Sequence, residues 1–136
     1  MKALRQAIQS FLAPLGLPVW ASAQVPAGTR APYMTWAMQP SGFTDVFDVT
    51  AACWYRDDQP GCTRMLQRMR CLLPEGGVVL RFPGGMAVVY RGASALVRDT
   101  SDGRLCGGRM QMELHLYAQD LLDEMNDDEN REEETS

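Results

Sequence analysis

Four cysteines and one histidine are the residues of this 136-residue chain with the most specific potential chemistry. Cys53, Cys62 and Cys71 are evenly spaced by nine, and Cys106 lies further on. A zinc ion would need its ligand sulfurs about 2.3 Å away. The segment holding Cys62 and Cys71 reads as a helix, and nine residues rotate a helix by about 900° and advance it about 13 Å. Those two thiols therefore sit on opposite faces. No CxxC pair is present and the lone His115 is remote in sequence, so the cysteines are expected to be buried or inert thiols. His115 falls mid-strand on a polar face. A catalytic dyad would need a Ser or Cys beside it in space, and lone strand histidines are commonly surface residues.

Glycine and carboxylate pairs offer other chemistry. Gly76-Gly77, Gly84-Gly85 and Gly107-Gly108 each precede an expected strand and not a helix N-terminus, so the phosphate-cradling arrangement is missing and turns are expected. Asp57-Asp58 is better placed to start a helix than to act as an acid–base pair. The arginines are scattered, without the dense stripe and interleaved aromatics of a nucleic-acid reader. No catalytic, cofactor-binding or metal-binding residue is assigned, and no enzyme activity or cofactor is expected.

The elements that would position these residues follow from periodicity. Leu4, Ala7, Ile8, Phe11, Leu12 and Leu15 form a helical apolar stripe, with Lys2, Gln6, Gln9 and Ser10 opposite. Pro14, Gly16 and Pro18 end that helix. Strands are expected at 18–23, 32–38 and 44–55, the last with apolar Phe47, Val49, Ala51, Cys53 and Tyr55 at alternate positions. A second helix follows Asp57-Asp58-Gln59-Pro60. Its stripe is Cys62, Met65, Leu66, Met69, Leu72 and Leu73, while Arg64, Gln67 and Arg68 point away. Strands at 78–82, 86–90, 93–98 and 109–117 complete the chain, and in the last Met110, Met112, Leu114 and Leu116 alternate with polar residues. The fold class is α+β: a mostly antiparallel sheet with two amphipathic helices on one face, in the order α-β-β-β-α-β-β-β-β. Tyr33, Met34, Trp36, Met38 and Trp54 put apolar residues on both faces of the early strands. They fit either a core or a sheet partly covered by a neighbouring subunit.

Charge divides the chain in two. Residues 1–118 carry twelve Lys/Arg and eight Asp/Glu, a net of +4, whereas 119–136 carry one base and nine acids, a net of −8. The division is a single domain at 1–118 and an acidic, largely disordered tail at 119–136, which has no large apolar residue beyond Met125. No secretory apolar run and no window of about 18 apolar residues is visible. The cysteines are therefore expected in a reducing cytoplasm, with no membrane partner.

The order of elements resembles a known family. An N-terminal amphipathic helix leads to Pro18-Val19-Trp20, then to Ala31-Pro32-Tyr33-Met34-Thr35-Trp36. A long strand, a helix ending Leu72-Leu73-Pro74, a Gly-flanked hairpin and a closing strand Met110–Tyr117 follow. Over residues 1–118 this resembles the tail terminator, or tail completion, proteins of long-tailed bacteriophages and related prophages. The resemblance implies a virion protein assembled in the bacterial cytoplasm and located at the tail–neck junction. Such a protein forms a ring, usually a hexamer of itself, that caps the tail-tube protein, ends its polymerisation and joins the head–tail connector. DNA would pass non-specifically through the lumen. A head-completion or stopper protein, or an adaptor binding a host protein through the acidic tail, are the alternatives. The residues expected at ring or tube contacts come from projecting loops: Gln39, Ser41, Phe43 and Asp45 in one, and Arg81, Pro83, Gly84 and Arg91 in a hairpin.

Overall fold

The computed structural model describes residues 2–99 and 101–118; the acidic segment assigned to 119–136 lies outside the described residues. Helix α1 spans Lys2–Leu12 and runs into a 3₁₀ turn, Ala13–Leu15, that ends where Gly16 adopts φ 86°. Strands β1 (Val19–Ala21), β2 (Tyr33–Pro40) and β3 (Val46–Arg56) precede helix α2 (Gln59–Cys71). Strands β4 (Val78–Phe82), β5 (Gly85–Arg98) and β6 (Leu105–Ala118) follow it. They make one six-stranded sheet in the order β1-β2-β3-β6-β5-β4. Every neighbouring pair is antiparallel except β1 with β2. The α+β class, with helices on one face of a mostly antiparallel sheet, is the one expected.

The strand count differs by one from the expected order. The break anticipated at Gly92 is a bulge inside a continuous β5, between Arg91 opposite Met112 and Ser94 opposite Met110. The extra residue reverses the pleat: Ala87, Val89 and Arg91 face the helices before it, and Ser94, Leu96 and Arg98 after it. Gly107-Gly108, expected to be a turn, lies within β6 opposite Trp54 and Cys53. A Cβ on Gly107 would fall 2.8 Å from the Trp54 ring, and one on Gly108 3.0 Å from the Leu66 side chain. The pair is glycine because side chains cross it on both faces of the sheet.

One hydrophobic core lies between the helices and the sheet. Leu4, Ile8 and Leu12 of α1, with Cys62, Met65, Leu66 and Met69 of α2, meet Met34, Trp36, Val49, Ala51, Cys53, Ala87, Val89, Met110, Met112 and Leu114. A flat sheet of six strands at about 4.8 Å spacing would set its edges about 24 Å apart. Helix α1, about 10 Å across, nevertheless touches both β4 and β1, the two edge strands. The sheet is therefore curled into a half-barrel, and α1 fills its mouth. Gln9 takes part in this arrangement, contrary to its place on the expected solvent face: its side-chain oxygen accepts from Trp36 Nε1 at 2.9 Å, while its amide donates to the Val19 carbonyl. Arg5 lies over the Trp36 ring, 5.8 Å from the centroid.

Leu114 is fully buried and sits in register between Phe47 and Val89. Leu114→Ala will lower stability by about 2–5 kcal/mol. A urea titration followed by circular dichroism should show an earlier midpoint with an unchanged slope.

Candidate functional site

Both helices pack on the face formed by the odd residues of β3 and the even residues of β6, so no described element covers the opposite face. That open face is not uniformly polar. At one end Trp54 lies over Gly107, between Tyr33 and Val97 in register, and its Nε1 donates to the buried Thr35 hydroxyl at 3.0 Å. Of the residues left open between core and covered sheet, Met34 and Trp36 are core, Met38 packs against it, and Tyr33 and Trp54 are half-buried on the open face. At the other end Val79, Tyr90 and Tyr117 are 48%, 40% and 54% exposed. His115 stands on this face as expected, edge-on to the Tyr90 ring at 5.3 Å and 2.8 Å from the Glu113 carboxylate.

The two loops expected to make contacts lie at one end of the sheet. Val46 opposes His115, Gly85 opposes Ala118 and Phe82 opposes Gly85. The β2–β3 loop, the β4–β5 turn and the end of β6 are therefore neighbours. The β2–β3 loop is built to present one side chain. The Ser41 hydroxyl donates to the Val46 carbonyl at 2.9 Å, the Phe43 amide lies 3.3 Å from that hydroxyl, and the Val46 amide donates to the Phe43 carbonyl. Gly42 and Asp45 take φ of 98° and 61°, and the Asp45 carbonyl accepts from the Leu116 amide at 2.8 Å. Phe43 is left 77% exposed at the apex. Gln39 is on the open face at the end of β2. In the other loop Pro83 fixes φ and Gly84 supplies a φ of 94°, the combination a type II turn uses. Arg81 is beside it on the open face, opposite Met86. Arg91 is not part of that tip, because β4 is too short to reach it. It faces the helices and donates to the Arg70 carbonyl at 3.2 Å, satisfying a carbonyl in the last turn of α2.

The opposite end is held by charge. Arg56 pairs with Asp102 at 2.7 Å, and Arg104 with Asp57. Asp58 caps α2, accepting from the Gly61 amide at 2.9 Å. A side chain at position 61 would collide with that carboxylate. The Arg104 hydrogen bond holds the Asp57 carboxyl below its usual range, as the Arg56 hydrogen bond does for Asp102.

Among the cysteines, Cys71 is exposed and Cys62 buried, on opposite faces of α2. Nine-residue spacing also brings Cys53 on β3 against Cys62, with their sulfurs 3.8 Å apart, because the turn at Asp57-Asp58 folds the helix back over its own strand. The spacing alone did not reveal that pairing. Burial pushes both thiols up, which disfavours the reactive thiolate. No group of three potential metal ligands occurs among the described residues, and no helix there is long and apolar enough to cross a membrane.

No family model and no curated protein matches the sequence. Solved structures do. A chain from the virion of a native gene transfer agent particle overlays with a TM-score of 0.56 at 14% identity, covering 85% of this chain and 92% of that one. A second solved chain, known only by a sequence identifier, overlays with a TM-score of 0.59 at 14% identity, over 85% and 94% of the two chains. At this identity the overlap establishes a shared fold.

Two measurements check the site. Iodoacetamide at neutral pH should label Cys71 first and Cys53 and Cys62 only on denaturation; equal labelling of all four thiols would contradict the burial described. Asp57 and Asp102 have lowered folded pKa values, so their stabilising contribution is present above the unfolded value of about 3.9 and is lost as pH falls through the folded values. Acidification from pH 5 to 3 should lower the urea midpoint, and a D57N/D102N variant should show a shallower fall.

Proposed function

We propose that the chain is a structural virion protein that forms a ring, capping a tail tube and joining it to the head connector. The observation that carries this is the overlay of nearly all of a chain from a gene transfer agent virion, reached independently of the sequence resemblance to tail terminators. Other features support it. The sheet has two free edge strands, β1 and β4, which offer backbone donors and acceptors to a neighbouring chain. Its open face carries exposed Val79, Tyr90 and Tyr117, an apolar patch suited to burial in an assembly.

Tube capping demands two unlike ring faces, one that matches the last tube ring and one that does not template more tube. The two ends of the sheet differ in this way. One presents Phe43 on a hydrogen-bonded loop beside the Pro83-Gly84 turn, and the other is closed by two ion pairs. We assign the Phe43 end to the tube. Strand β6 ends there at Ala118, and the nine acids that follow it in sequence would lower the sticking of DNA passing through the lumen.

Purified chain mixed with assembling tube protein should produce hexameric rings at one tube end and tubes of uniform length, as read by negative-stain microscopy and native mass spectrometry. Phe43→Asp should leave ring formation intact and allow tubes to overrun. Tubes that ignore the wild-type chain would defeat the proposal. Wild-type capping by the Phe43 variant would remove only the assignment of that end.

A further inference from the structure

The open face carries a chemical oddity. Asp48 on β3 lies directly opposite Glu113 on β6, both are exposed, and directly opposed residues place their Cβ atoms only about 5 Å apart. Like charges in that position repel. None of the described ion pairs involves Asp48, and Glu113 is relieved only by the half-exposed His115. Beside the pair is a hollow of about 280 Å³ lined by Gln39, Asp48, Val49, Thr50, Gln111 and Met112. Its carboxylate, amide oxygens and hydroxyl form a set of hydrogen-bond acceptors, the complement of a guanidinium with its five N–H donors and no acceptor.

The complementary surface is on the other side of the same molecule. Helix α2 exposes Arg64 and Arg68, four residues apart and so about 6 Å from each other along one helix face. That separation matches the spacing of the two carboxylates. The arginines border a hollow of about 570 Å³ whose remaining walls are Pro14, Leu15, Gln67, Cys71 and Leu72. On the open face, Tyr90 is in register beside Glu113, and Tyr117 is two residues beyond His115. These are exposed aromatic side chains of the type that fill such hollows at protein interfaces.

We propose that the Asp48–Glu113 pair on the open face of one copy receives Arg64 and Arg68 from α2 of the next copy, with Tyr90 or Tyr117 entering the hollow between α2 and the Pro14–Leu15 turn. The occupant is a second copy of this chain, by complementarity of charge, spacing and shape. The two patches are on opposite layers of the subunit, so the contact is head-to-tail and propagates from copy to copy until it closes. It rests on the ring reading above and names that ring's subunit interface.

The test uses full-length chains with reversed charge. The D48K/E113K variant alone and the R64E/R68E variant alone should each lose the ring, its fraction falling by more than about tenfold, because each now opposes like charges. An equimolar mixture should recover it, since lysines then meet glutamates at one contact and native patches meet at the next. The four substitutions in one chain should also recover it, whatever the ring number, and circular dichroism establishes that each variant folds. Rings formed normally by both variants, or variants that fold yet are rescued neither in mixture nor in the fourfold chain, would overturn this interface while leaving the ring itself standing. Loss in the sheet variant alone would point to pairing between two open faces and overturn it too. A wild-type chain that stays monomeric with tubes would instead remove the ring reading.

Discussion

Among the described residues a six-stranded sheet is served by two helices, both on one face, so that face alone is buried beneath them. Everything else in this molecule follows from how that face is enclosed. Helix α1 reaches both edge strands, which forces the sheet to curl, and Gln9 fixes the helix by bonding at once to the Trp36 indole and to the backbone of β1. With the mouth of the half-barrel filled by α1 and its floor covered by α2, the apolar side chains of the inner face are accounted for. The outer face is the remainder, and its tyrosines, valines and paired carboxylates are what any partner would meet.

Much of this was legible in the residues. Period-3.6 stripes located both helices, and alternation located β3 and β6, because a half-buried strand must alternate. The projecting loop at Ser41–Asp45 was legible too, since Pro40, Ser41 and Gly42 break the chain between two apolar runs. What escaped were features that depend on partners distant in sequence. Gly107-Gly108 looks like punctuation until Trp54 and Leu66 are seen lying across it. Gln9 looks like a solvent residue until Trp36 arrives 27 residues later. Arg91 looked like part of a hairpin because the sequence breaks at Gly92, whereas β5 runs on through Arg98 and turns Arg91 toward the helices.

The candidate site was harder to foresee than the fold. Gln39, Ser41, Phe43, Asp45, Pro83 and Gly84 were expected on projecting loops, and the structure brings those loops to one end of the sheet. The acid pair at Asp48 and Glu113 could not be foreseen, because it arises from strand register between two residues more than sixty positions apart in sequence. Periodicity fixes which face a residue takes, but register alone fixes which residue it meets.

The bulge in β5 gives that strand two phases. Up to Arg91 the odd residues look toward the helices, and from Ser94 onward the even ones do. Loss of one of the two residues between them would straighten the strand without turning it over. Arg91 and Ser94 would then stand two residues apart, as Met112 and Met110 do, so Ser94, Leu96 and Arg98 would still face the helices and only the local bend would go. The bulge therefore adds curvature and not a change of face, and its first residue is held to glycine, because a Cβ at Gly92 would fall 2.9 Å from the Gln111 carbonyl oxygen.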